Sequence, residues 1–275
     1  MRNNFEEYLN ACVDKYSDNK IKEAMKYCLD GGKRFRPRLI YAICENNNVD
    51  EKLCLPAAAA VEFIQTYSLI HDDLPEMDND DFRRGKPSCH KAFGTDIAVL
   101  TGDALLTHAF SCIADDSNTY TNNLGIKLIK DLADYSGLNG MVYGQFLDIT
   151  IKDADETKLY EIEDNKTSGL FKYCCLAAMH IMGLNDRKYF LELGSKIGVI
   201  FQKQDDLFDA IKTEEEMGKS LSDERNDKMT ALKFKSVDKL KEEIDNLFID
   251  LDNYLANAPF NTEGLKDLLN KMANR

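Results

Sequence analysis

Apolar positions in this chain recur mostly every three or four residues. Phe5, Leu9, Cys12, Val13 and Tyr16 form one stripe over residues 5–16, because positions three and four apart share a helix face. Residues 56–73 are rich in Ala, with Val61, Phe63, Ile64, Tyr67 and Ile70 among them. Pro56 opens that run, and proline suits the first turn of a helix. Residues 96–114 are apolar nearly all round, the pattern of a helix buried on every side. Residues 124–149 and 167–183 continue the period. In 190–211, Ile197, Ile200, Phe201, Leu207, Phe208 and Ile211 fall on one side, and in 236–256, Leu240, Ile244, Leu247, Phe248, Leu251 and Leu255 mark an amphipathic surface helix. The single strand signal is a short alternation around Phe146–Ile151. The pattern predicts an all-α protein of many long helices. No Pro/Gly/Ser-rich linker or shift in composition interrupts it, so one domain over residues 1–275 is expected.

Composition narrows the function. The chain is 44% hydrophobic and carries a net charge of −13, which argues against a nucleic-acid or anionic-membrane partner. The eight cysteines show no CxxC spacing, and a chain this long does not need disulfides for stability. They read as reduced thiols of a cytoplasmic protein. His71, His90, His108 and His180 have no metal-ligand spacing. Acids come early at the N-terminus with no apolar core of a signal peptide, and no stretch reaches the ~18–20 apolar residues of a membrane span, so a soluble protein with no integral membrane association is expected.

The candidate chemistry lies in two acidic clusters, Asp72-Asp73-Leu74-Pro75-Glu76-Met77-Asp78 and Asp205-Asp206-Leu207-Phe208-Asp209. Carboxylates this dense repel one another unless a cation lies between them. Mg²⁺ takes oxygen ligands and commonly holds a substrate phosphate as well. Asp205 and Asp209 are four apart and share a helix face with Gln202. Asp72 and Asp78 are six apart, about 600° of rotation on a straight helix. Pro75 cannot continue the ladder, so a bulge or helix end at Pro75-Glu76 is expected to swing Asp78 back toward Asp72. Arg83 and Arg84 follow on a loop or helix start. A local basic patch, Gly31-Gly32-Lys33-Arg34-Phe35-Arg36-Pro37-Arg38, lies within the acidic chain. Lys33 and Arg36 sit in a Gly-rich loop suited to close backbone approach, whereas Arg34, Arg38 and Lys86 are expected to be solvated. A single acidic run is often only a solvated helix face. Two runs on otherwise apolar helices, each with basic company, point to a site that clamps a diphosphate through metal ions.

In this order the motifs resemble the trans-isoprenyl diphosphate synthases, most closely the bacterial farnesyl diphosphate synthases, over nearly the whole chain. Gly31 to Pro37 resembles the family's isopentenyl diphosphate loop. Asp72 to Asp78 with Arg83-Arg84-Gly85 resembles its first aspartate-rich motif. Gly144-Gln145 with Asp148, the pair Lys166-Thr167, and Phe201-Gln202 with Asp205 to Asp209 resemble the motifs that follow. The resemblance implies a bundle of about ten or more helices around a deep central cavity. It implies Mg²⁺, three ions with substrate bound, held by Asp72, Asp78 and Asp205 with Asp73, Asp206 and Asp209 in support. Gly32, Lys33, Arg36, Arg84 and Gln65 would bind isopentenyl diphosphate, while Arg83, Lys166 and Lys219 would grip the allylic diphosphate. Thr167 and Gln202 would face the reacting carbon, and Tyr67 with Ser68 would set the pocket floor. A homodimer making the C15 product is implied, with C20 second.

The chain departs from the family at Ala210-Ile211, where Gly-Asp is frequent, and around Lys228, where Tyr-Pro is missing. A terpene cyclase would need no isopentenyl diphosphate loop, and a non-catalytic prenyltransferase subunit would have lost aspartates. A di-iron bundle would want paired Glu-x-x-His motifs.

Overall fold

A computed structural model describes residues 2–115, 120–121, 123–151, 155–211 and 230–274. Among them the chain is almost wholly helical, as the periodicity predicts. The helices are α1 (Arg2–Asp14), α2 (Lys20–Leu29), α3 (Phe35–Cys44), α4 (Leu55–Asp72), α5 (Cys89–Phe93), α6 (Thr95–Asp115), α7 (Leu124–Ser136), α8 (Met141–Thr150), α9 (Glu156–Lys166), α10 (Ser168–Ile181), α11 (Arg187–Ile211), α12 (Val237–Leu255) and α13 (Glu263–Ala273).

The centre is built on α4 and α10. Ala57 to Ala60 are fully buried, and these small side chains let α4 lie close against α6 and α3. Nearly every residue of α10 is buried, and it packs on α11, α7 and α3. One apolar core joins residues from Phe5 on α1 to Met272 on α13. A second small cluster, Leu159, Leu207, Ala231, Leu240 and Ile244, seats α12 beneath the end of α11. On α12 the expected apolar stripe is the buried one: Leu240, Ile244, Leu251 and Leu255.

Three expectations are corrected. The alternation at Phe146–Ile151 is not a strand but the end of α8, where Val142, Phe146 and Ile149 fall on one helix face at spacings of four and three. The strands lie elsewhere: β1 (Phe82–Arg83) pairs antiparallel with β2 (Lys86–Pro87). Arg84 (φ 55°) and Gly85 (φ 76°) form the two-residue turn between them, a geometry that suits the twist of a hairpin and that glycine adopts without strain. Next, α6 is not buried on every side, since Val99 and Leu100 are 37% and 49% exposed. Finally, Glu51–Asp72 and Thr95–Asp115 are each long and apolar enough to cross a membrane by composition. In the first, 72% of the apolar window is buried inside the protein, so its apolarity serves the core.

Candidate active site

The first acidic motif begins where α4 stops. After Asp72 the chain makes a compact bulge in which Met77 and Asn79 donate backbone hydrogen bonds to the Leu74 carbonyl. The Asp78 amide then donates to the Asp72 carbonyl at 2.8 Å. The six-residue spacing is thereby folded back, as Pro75 predicts. Across the molecule α11 presents Gln202, Asp205, Asp206 and Asp209. Asp72, Asp78, Asp205, Asp206 and Asp209 all line one cavity of about 240 Å³, together with Arg83, Lys166 and Thr167.

Asp73 is placed differently. It is 2% exposed and points away from that cavity to take the Nε of Arg83 at 3.0 and 3.2 Å, with a further close contact from Nη2. Burial raises its carboxyl to about 6, against the pull of Arg83. Arg83 also reaches Asp80 at 3.2 Å. The two carboxylates thus fix the guanidinium at the cavity edge.

Lys166 ends α9 and pairs with Asp148 on α8 at 2.6 Å. Close contact of the two helices requires Gly144: a Cβ there would stand 2.0 Å from the Lys166 backbone nitrogen. From the same helix Gln145 donates to Asp72 Oδ1 at 3.0 Å. The Thr167 hydroxyl donates to Gln202 Oε1 at 2.6 Å, Gln202 Nε2 donates to Asp206 Oδ1 at 2.8 Å, and the Ala231 amide caps Asp206 Oδ2 at 2.8 Å. This chain of bonds holds Thr167 and Gln202 in fixed orientation between the two acidic clusters.

A larger cavity of about 880 Å³ adjoins the first and shares Asp72, Arg83, Lys166, Thr167, Gln202 and Asp205 with it. Lys33, Arg36, Gln65 and Arg84 line its polar part. Tyr67, Met141, Val142, Phe146 and Phe201 supply its apolar lining, with Ser68 beside Tyr67. Arg36 lies over the rings of Phe171 and Phe201, 4.8 and 5.6 Å from their centroids, and its Nε has no hydrogen-bond partner among the described residues. Tyr67 is 7% exposed and meets His71 edge to face at 5.7 Å. Gly32 belongs to the loop before α3. Lys219 and Lys228 lie outside the described residues.

The expectation that Arg34 and Lys86 are solvated is corrected. Arg34 is 7% exposed and is held by Glu62 at 2.6 Å and by Glu6 at 2.9 and 3.0 Å. Lys86 donates to the Tyr27 carbonyl at 2.6 Å. Glu62 also lies 3.6 Å from Arg84, whose guanidinium donates to the Cys28 carbonyl at 2.8 Å. Sequence reasoning missed Glu62, although a lone acid in an Ala-rich run is a visible signal. It also missed Glu163, which lines the smaller cavity at 3% exposure, 3.7 Å from Lys203.

The sequence matches the polyprenyl synthetase family model over residues 18–272. The chain belongs to the polyprenyl synthetase family. It is accordingly an enzyme, a trans-prenyl diphosphate synthase. It is 38% identical over 272 residues to the farnesyl diphosphate synthase of Micrococcus luteus, covering 96% of this chain and 92% of that one. It is 40% identical over 244 residues to the chloroplastic geranylgeranyl pyrophosphate synthase of Catharanthus roseus, covering 86% and 68%. Its fold superposes with a TM-score of 0.88 on a Helicobacter pylori geranyltransferase complexed with magnesium and isoprenyl diphosphate, at 28% identity and covering 99% and 96% of the two chains. Both aspartate clusters of this polyprenyl synthetase thus open on one cavity, and its basic loop opens on the adjoining one.

Proposed function

We propose that the chain condenses isopentenyl diphosphate head to tail with dimethylallyl and then geranyl diphosphate, releasing diphosphate and making farnesyl diphosphate. The observation that carries this reading is the pair of adjoining cavities, one walled by carboxylates and the other by cations and then apolar side chains. Lys33, Arg36, Arg84 and Gln65 hold isopentenyl diphosphate. The unpartnered Nε of Arg36 is a donor in want of an anion, and burial weakens its hold on its own proton. Arg83 and Lys166 hold the allylic diphosphate, and Lys219 joins them.

The donor set fits Mg²⁺. Asp72, Asp78, Asp205, Asp206 and Asp209 offer only hard oxygens, and among the described residues no three acidic, His or Cys side chains form a cluster that could hold an ion by themselves. Mg²⁺ commonly retains water and takes substrate phosphate oxygens besides one or two carboxylates, so two facing clusters suit a metal–diphosphate complex better than a closed cage would. When bound, the ions would supply positive charge to the departing diphosphate.

Breaking the allylic C–O bond leaves carbon cationic. Thr167 and Gln202, locked to each other and to Asp206, turn oxygen lone pairs toward that charge. The double bond of isopentenyl diphosphate attacks, a C–C bond forms, and a proton leaves to the released diphosphate. Phe201, Met141 and Val142 keep water from the cation. Tyr67 closes the apolar end, which favours a C15 product. The reading takes residues 1–275 as one domain, acting in the cytoplasm as a homodimer.

Asp72→Ala and Asp205→Ala test it. Each is expected to keep its helical circular dichroism and to lose turnover by about 10³-fold, the scale of one lost electrostatic contact to a developing charge. Chelation of Mg²⁺ is expected to abolish wild-type turnover, and its return to restore it. Unchanged turnover in either variant contradicts the assignment.

A further inference from the structure

The proposed chemistry uses none of the eight cysteines, yet two of them, a hundred residues apart, meet. Cys12 on α1 and Cys112 on α6 bring their sulfur atoms to 3.6 Å. A formed disulfide needs about 2.05 Å, so ~1.5 Å of side-chain movement separates the two thiols from a bond. Their exposures differ in a useful way. Cys112 is 3% exposed, whereas Cys12 is half-buried and open to a small molecule. The Tyr8 hydroxyl lies 3.9 Å from the Cys112 sulfur, and His108 stands beside the pair, its Nδ1 3.0 Å from the Tyr16 hydroxyl. A hydrogen bond from Cys112 holds the Cys12 thiol below its ordinary range, against burial and with help from His108 and Tyr8, while Cys112 is pushed up. The pair is thus divided into an accessible sulfur and a shielded one. Exchange needs this division, because the thiolate is the attacking form and access decides which sulfur reacts first.

We propose that Cys12 and Cys112 are a redox-active dithiol that exchanges with small-molecule disulfides, Cys12 attacking and Cys112 resolving. The Cys12 thiolate attacks one sulfur of a disulfide RSSR, the S–S bond breaks, and RS⁻ leaves. Cys112 then gives up its proton to water, attacks Cys12 Sγ, and displaces a second RS⁻. Two protein thiols are oxidised to one disulfide and one small disulfide is reduced to two thiols, with no further reactant. The bond joins α1 to α6. Because α1 also carries Glu6, which grips Arg34 at the start of α3, oxidation fixes the helix that braces the basic loop. It also closes a long loop of the unfolded chain, so the oxidised form unfolds at higher temperature.

The test is to incubate the purified full chain with oxidised glutathione, block remaining thiols with N-ethylmaleimide at low pH, and map the peptides. The expected result is that Cys12 and Cys112 are lost together and before the other six, in one cross-linked peptide pair that dithiothreitol reverses, with a raised thermal midpoint. In Cys112→Ser, Cys12 is expected to stop at a stable glutathione adduct. Should that variant not fold, Cys12→Ser serves, with Cys112 expected to stay unmodified. The proposal is overturned if both thiols remain open to alkylation in the wild type, or if the wild type stops at a glutathione adduct on Cys12 with no cross-link.

Discussion

Glu62 shows how much one side chain governs here. It is 3% exposed within the Ala-rich α4, and it reaches Arg34 at 2.6 Å and Arg84 at 3.6 Å. Removing one member of a buried ion set leaves the other charges uncompensated, which costs about 3 kcal/mol or more. Glu62→Gln is therefore expected to lower stability by about that amount in urea unfolding, and to raise KM for isopentenyl diphosphate more than it lowers kcat. An unchanged KM would separate Glu62 from the basic surface. Tyr67 is proposed to work by bulk instead. Tyr67→Ala opens the apolar end and should shift products toward C20, read by chromatography of the dephosphorylated alcohols. At this scale the sequence was legible where spacing carries the geometry, as at Asp205 and Asp209, or where a proline forces it, as at Asp72 and Asp78. It was not legible at Arg34, whose partners Glu6 and Glu62 lie 28 residues away on either side, a distance that no local pattern encodes.

Among the elements, the seams of α9 with α8 and α11 carry the site. Gly144 lets α8 meet α9, and Gln145 and Asp148 on α8 then hold Asp72 and Lys166. Gly144→Ala would force a methyl group into the Lys166 backbone and part the two helices. Turnover is expected to fall by about 10²-fold, the scale of a 1 Å misplacement, with the fold retained. On the other side Glu163 of α9 faces Lys203 of α11, and burial, partly offset by Lys203, raises its carboxyl to about 7. The unfolded value is about 4.3, so between the two the native state binds more protons than the unfolded one. Stability from this group is then fully present below about pH 4.3 and is lost as pH rises through about 7. Thermal midpoints of Glu163→Gln should fall less than those of the wild type between pH 5 and pH 8. An equal fall in both would contradict the sign. Helical periodicity located most of these elements, but the break between α7 and α8 and the hairpin at 82–87 escaped it. Helix α8 carries strand-forming residues on one helical face, and a two-residue strand has no period to read.

In the whole molecule, Asp72, Asp78, Asp205, Asp206 and Asp209 are brought to one cavity by helices that pack on a common core. The same packing sets the cations of the α3 loop and of the hairpin beside it. Sequence order alone supplied the motifs, while their convergence depends on α4, α9 and α11 each packing on α10. The central claim is that this convergence elongates a prenyl chain to fifteen carbons. Its most direct test is incubation of the purified protein with Mg²⁺, labelled isopentenyl diphosphate and either dimethylallyl or geranyl diphosphate, with products resolved by carbon number. The account predicts a C15 product from both primers. A mainly C20 product would contradict the closing role of Tyr67, and no elongation with the aspartates intact would contradict the function itself.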